Sequence, residues 1–149
     1  MLRRIMGLPL QTCCLLIMLG VAATQAFAES SVIGKWTTID DETGEPKSVV
    51  ELYEKDGKLY GKVVDLLLKP DDTVCSKCSG ELKDQPVVGM DIITGLSLDQ
   101  GKYGGGDILD PAKGKTYACK LWLEDSDTLN VRGYLGIFYR TQTWTRMQE

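Results

Sequence analysis

The chain has 149 residues, 43% of them hydrophobic and 26% charged, with a formal net charge of −4 and no histidine. That length suits one domain around one core, and the acidic balance argues against sequence-independent nucleic-acid binding, which needs clustered Lys and Arg. Without histidine there is no Ser-His-Asp or Cys-His catalysis, no HExxH zinc chemistry and no imidazole proton relay.

Residues 1–28 read as a secretory signal peptide. Arg3 and Arg4 form its basic start, residues 13–23 (CCLLIMLGVAA) its apolar stretch, and Ala26-Phe27-Ala28 its cleavage site. The apolar stretch is shorter than the about 20 residues a transmembrane helix needs. Cleavage leaves a single domain, residues 29–149, of roughly 120 residues, and removes Cys13 and Cys14. Cys75, Cys78 and Cys119 then remain, in a soluble protein exported to an oxidising compartment, with no stable membrane insertion.

Beyond that segment the chain reads as strands separated by turn signals every 8–12 residues, the rhythm of an all-β barrel or sandwich. Residues 33–39 (IGKWTTI) form a first strand, closed by the turn at residues 40–46 (DDETGEP). Residues 47–55 and 58–67 form a hairpin across Asp56-Gly57, because a type I′ turn needs two residues tolerant of positive φ. Residues 69–86 are one long irregular stretch, and long loops are often functional. Residues 87–98 read as a strand with a bend, and residues 102–109 as a short strand carrying Gly104-Gly105-Gly106, which marks a bulge or a flexible edge. In residues 116–124 (TYACKLWLE), Tyr117, Cys119, Leu121 and Leu123 share one face. Residues 128–135 and 137–146 complete about eight strands.

Consecutive hairpins of similar length leave edges, and an up-and-down barrel of eight strands removes them while enclosing room for one small ligand. A Greek-key sandwich is the alternative, with residues 69–86 as its only long crossover. In a closed barrel the first and last strands pair, and Arg146 would lie across the Trp36 ring as a cation–π lock. The plainer alternative makes Trp36 a core aromatic and Arg146 a solvated tail residue.

The segments GKWTTIDDETGEPKSVVELYEKDGKLYGKVV, CSKCSG, DQPVVGM, ILDPAKGKTYACKL and VRGYLG with RTQTWTR resemble, in that order, the bacterial family called domain of unknown function 2147. The resemblance covers residues 33–146. It implies a lipocalin-like barrel exported to the periplasm, and it assigns no activity. Gly34-x-Trp36 with Arg146 also resembles the first-strand and last-strand signature of lipocalins.

Cys75-Ser76-Lys77-Cys78 is the sharpest local motif. As a redox site it would need a thiolate at a helix N-terminus, but it sits in a polar loop without a βαβ context. As a zinc site it offers two thiolates, with Cys119 as a candidate third, and no histidine. The favoured reading is a small structural disulfide between Cys75 and Cys78 that pins the long loop, although three thiols admit three bridges. Cys119, on the apolar face of its strand, is expected to be buried and reduced. Gly114-Lys115-Thr116 fails the P-loop pattern, because Leu109 stands where glycine is required and a strand follows instead of a helix. Asp40, Asp41, Glu42 and Glu45, like Asp71 and Asp72, offer oxygens to calcium, but without EF-hand spacing they read as solvated turns.

The inward faces are the candidates for function. Tyr117, Leu121, Val131 and Tyr139 are expected to point inside, with Met90 near them, forming a site for a small hydrophobic or aromatic molecule. The alternative is a barrel filled by its own side chains. The expectation is therefore a non-enzymatic, cofactor-free, metal-free envelope protein that binds an apolar ligand. Its rivals are a thiol or metal protein working through Cys75 and Cys78, and an interaction scaffold.

Overall fold

Two residues with positive φ, Asp56 at 52° and Gly57 at 73°, turn the chain so that β2 (Pro46–Lys55) and β3 (Lys58–Leu66) pair along their length. Short hairpins of this kind recur through the computed structural model, which describes residues 30–148; the expected signal peptide, residues 1–28, lies outside the described residues. The other strands are β1 (Gly34–Ile39), β4 (Asp91–Asp99), β5 (Lys102–Asp110), β6 (Lys115–Leu123), β7 (Thr128–Leu135) and β8 (Phe138–Arg146). Each pairs antiparallel with the next, and β8 returns to β1, so the sheet closes into an eight-stranded up-and-down barrel. The sandwich alternative is excluded, because the long loop joins neighbouring strands β3 and β4 instead of crossing between sheets.

Bulges shape the wall. The register shifts within β5 between Tyr103 and Gly106, where Gly105 has φ 76°; this is the bulge read from the glycine run. Of the two glycines in residues 87–98, where a bent strand is expected, Gly95 (φ 69°) lies within β4 and Gly89 (φ 92°) before it. The strand begins at Asp91, however, and not at residue 87. Residues 87–90 are held as a turn: Val87 N–H donates to the Thr73 carbonyl, Met90 N–H to Val87, and Gly89 N–H to Val63. The long loop claims those backbone groups before a strand ladder can.

The β1–β8 seam is short. Only Trp36↔Arg146 and Thr37↔Thr145 pair across it, against eight positions between β7 and β8. Side chains reinforce it. The Arg146 guanidinium lies 4.2 Å over the centre of the fully buried Trp36 ring. Its Nη2 donates to Ser31 O (2.7 Å), Nη1 to Ile33 O (3.1 Å) and Nε to Ser126 O (2.6 Å), while Trp36 Nε1 donates to Val32 O (2.8 Å). One planar cation thus ties the segment before β1 and the β6–β7 turn to the end of β8. Gly34 (φ 126°) makes room, since a Cβ there would stand 3.2 Å from Arg146 Nη1.

Because several charge-assisted bonds and a cation–π contact converge on one side chain, Arg146→Ala is expected to lower stability by about 2–4 kcal/mol. Arg146→Lys should recover little of it, since an ammonium cannot reproduce the fork. Urea unfolding checks this; an unchanged midpoint in both variants would remove Arg146 from the closure.

Candidate functional site

Leu52, Leu59, Leu96, Leu121 and Leu129 are fully buried with Trp36 and fill one end of the barrel. The other end is open. There a cavity of about 580 Å³ runs in from the mouth, within the range of small-molecule sites. Its buried walls come from Val63, Val87, Ile92, Leu109, Val131 and Trp144. Gly133 also faces it, and the missing side chain leaves part of the hollow. Inward residues are thus large at one end of the barrel and sparse at the other, which is how one strand set both packs a core and encloses a space.

Two polar pairs sit in the wall. The buried hydroxyls of Thr38 and Ser48 share a hydrogen bond of 2.8 Å across β1 and β2. Trp144 Nε1 donates to Gln142 Oε1 (2.9 Å) on the same strand. Both pairs border the cavity. Charges belong to the rim: Arg140 bonds Asp41 (3.0 Å), Lys113 lies 3.7 Å from Asp110, and Lys47 lies 3.7 Å from Asp40. Asp40 is a turn-former. Its Oδ1 accepts from the backbone N–H groups of Glu42 and Thr43, which hold its carboxyl below the usual carboxylate range.

The residues expected to point inside divide three ways. Tyr117 and Val131 line the cavity. Leu121 and Met90 are buried in the core and do not line it. The expected inward direction of Tyr139 is corrected. Tyr139 borders the cavity at its edge, yet it pairs with Tyr134, their ring centres 5.9 Å apart, and the Arg132 guanidinium stacks 4.3 Å over it on the outer wall. The cause is strand alternation: Arg140, Gln142, Trp144 and Arg146 take the inner face of β8, so Tyr139 must take the outer one. Sequence reading missed Val63, Ile92, Gln142 and Trp144. For the last two the signal was available, because they share the parity of Arg146.

The cysteines separate into two environments. Cys75 and Cys78 form a disulfide, and both are buried. Cys119 is free and buried in β6. Among the described residues no three His, Cys, Asp or Glu side chains converge to hold a metal ion.

Burial, with the Asp107 charge adding to it, pushes the Cys119 thiol up to about 12. Tyr53 also rises to about 12, through partial burial and its hydrogen bond to Asp91 (2.7 Å). Both groups favour the neutral form in the folded state, so their contribution is complete below the unfolded values, near 9 and 10, and is lost as pH rises towards 12. The urea midpoint should therefore fall between pH 9 and 12, and more shallowly in Tyr53→Phe. A thiol reagent should leave native Cys119 unmodified at neutral pH and label it once urea unfolds the chain. Leu121→Ala, which truncates a core side chain paired across strands with the cavity-lining Val131, is expected to cost about 2–5 kcal/mol; a neutral result in calorimetry would show that the closed end is not packed.

The fold is shared with a solved structure described as "Protein HP1028 from the human pathogen Helicobacter pylori belongs to the lipocalin family". The two superpose with a TM-score of 0.72 at 20% sequence identity, covering 81% of this chain and 86% of that one. No curated protein matches the sequence. The family profile described as "Uncharacterized protein conserved in bacteria (DUF2147)" matches residues 34–146. The closed eight-stranded barrel is thus lipocalin-like, and the chain belongs to the bacterial family DUF2147.

Proposed function

We propose that this protein is an exported, periplasmic binding protein that holds a small apolar molecule in the open end of its barrel. The observation that carries the reading is the cavity itself: about 580 Å³, with a buried wall of aliphatic side chains, Trp144 and the Thr38–Ser48 hydroxyl pair, and with charged residues bordering it. A site of that size with oriented polar groups in a mostly apolar wall is the usual form of a small-molecule pocket. Export is supported by the basic, apolar and A-x-A pattern of residues 1–28. The reading is non-enzymatic: the lining presents the hydroxyls of Thr38, Ser48, Thr73 and Ser76, and the sequence holds no imidazole to activate them. The thiol alternative is disfavoured because the two sulfurs of the Cys75–Cys78 bridge are buried against attack.

A second reading, an interaction scaffold, draws on the β7–β8 turn, where Leu135, Ile137 (89% exposed) and Phe138 (74% exposed) stand in solvent beside the mouth. Contiguous apolar exposure of this kind marks contact sites.

N-phenylnaphthylamine, which brightens in apolar surroundings, should bind saturably to the full chain. Gly133→Leu should weaken that binding about tenfold or more. A Cβ at Gly133 meets only ordinary contacts, 3.5 Å from Tyr117 Cβ, so the substitution fills the hollow without straining the wall. A folded protein that binds no probe, or a variant that binds it equally well, would end the proposal. Crosslinking that captures a protein partner through the β7–β8 turn, with no ligand in native mass spectrometry, would favour the scaffold.

A further inference from the structure

We infer that the ligand of this cavity is an anionic amphiphile, its charged head group held at the mouth by Lys69 and Lys77 and its tail lying among Val63, Ile92 and Val131. This rests on the ligand-binding reading above and names the chemical class.

The argument starts from charge. The chain as a whole is acidic, yet the charged residues that border the cavity are Lys47, Lys69, Lys77, Lys113 and Arg140 against Asp41 and Asp110. Glu42, Glu45, Asp71 and Asp72, in the neighbouring turns, do not border it. Arg140 answers Asp41 and Lys113 answers Asp110, while Lys47 reaches back to Asp40. Lys69 and Lys77 have no ion-pair partner among the described residues. Two exposed lysines without an ion-pair partner therefore border a pocket whose buried wall is mostly apolar. A neutral hydrocarbon ligand gives them nothing to bind; a carboxylate or phosphate on an apolar tail satisfies both ends of the site.

The disulfide loop adds a structural reason. Lys77 lies inside the four-residue ring closed by Cys75 and Cys78. The ring is anchored: Cys75 N–H donates to Gln85 O (2.8 Å), Asp84 N–H donates to Cys75 O (3.0 Å), and the Lys83 ammonium bonds the Ser76 carbonyl. Its far side rests on Gly114 (φ 65°) in the β5–β6 turn, where any Cβ would collide with the Lys77 carbonyl. The backbone of Lys77 is thus clamped between a buried disulfide and a glycine turn, and only its side chain is left to move. The Cys-Ser-Lys-Cys motif then has a purpose without redox chemistry. It fixes the origin of one cation at the mouth, which reduces the ordering cost of gripping an anion.

The test titrates lauric acid and lauryl alcohol into the full chain at neutral pH and follows tryptophan fluorescence, since Trp144 borders the cavity. The two lipids share a tail and differ in head-group charge. The acid is expected to bind about fivefold more tightly at low salt, as befits exposed charge pairs, and the preference should shrink as salt screens it. In the double variant Lys69→Gln, Lys77→Gln the affinity ratio should fall towards one. Equal affinities in the parent protein, or a preference that survives the double substitution, would overturn the head-group inference and leave the ligand-binding reading intact. Binding of neither lipid would overturn both.

Discussion

Closure of the sheet is the constraint on which the rest depends. An antiparallel sheet left open exposes a row of unpaired N–H and C=O groups at each edge, and this one avoids both edges by joining β8 to β1. The join is the shortest ladder in the barrel, two paired positions, so backbone bonding alone leaves it weaker than its neighbours. The Arg146–Trp36 stack and the three carbonyls that Arg146 reaches make up the difference. A cation is suited to this place because the seam lies where the packed end meets solvent: the guanidinium plane covers the indole while its edge satisfies backbone oxygens that would otherwise face water.

Closure at one end also makes the other end available. Once Trp36, Leu52, Leu59, Leu96, Leu121 and Leu129 are stacked in the packed half, the inward positions of the remaining half can carry Thr38, Ser48, Gln142 and Gly133 without loss of the core. The polar groups there bond one another, so the pocket wall carries no buried side-chain nitrogen or oxygen without a partner among the described residues. The long loop between β3 and β4 and the turn between β5 and β6 brace each other through the disulfide ring and Gly114, giving the mouth a rigid rim on that side. The β7–β8 turn on another side is apolar and exposed. The entrance is therefore uneven, with cations on a clamped loop and hydrocarbon on a projecting hairpin, an arrangement suited to an amphiphile entering tail first.

Much of this was legible in the residues. Asp56-Gly57 announced its hairpin, the alternation of residues 116–124 announced an inward face, and Gly34-x-Trp36 with Arg146 offered the pair that meets at the seam as one of two readings. Tyr139 was misplaced for an instructive reason. It stands seven positions before Arg146, and an odd separation along an unbroken strand puts two side chains on opposite faces. Anchoring β8 on Arg146 and Trp144 would have sent Tyr139 outward, to the stack with Tyr134 and Arg132. The start of β4 was unreadable in a different way, because residues 87–90 have strand composition but lend their backbone to the loop and to Val63.

The sequence by itself determined most of the strands, their hairpin order and the parity of most side chains, since these follow from local turn chemistry and a period of two, and it offered the seam partners as one of two readings. Only the tertiary structure decided depth. Tyr117 and Leu121 share one face of one strand, yet the first borders a hollow and the second is sealed in the core. Alternation states whether a side chain faces in, but its height along the barrel depends on how the strands tilt and stagger when the sheet closes. That height, together with the loop folded over one end, separates a cavity wall from a packed floor.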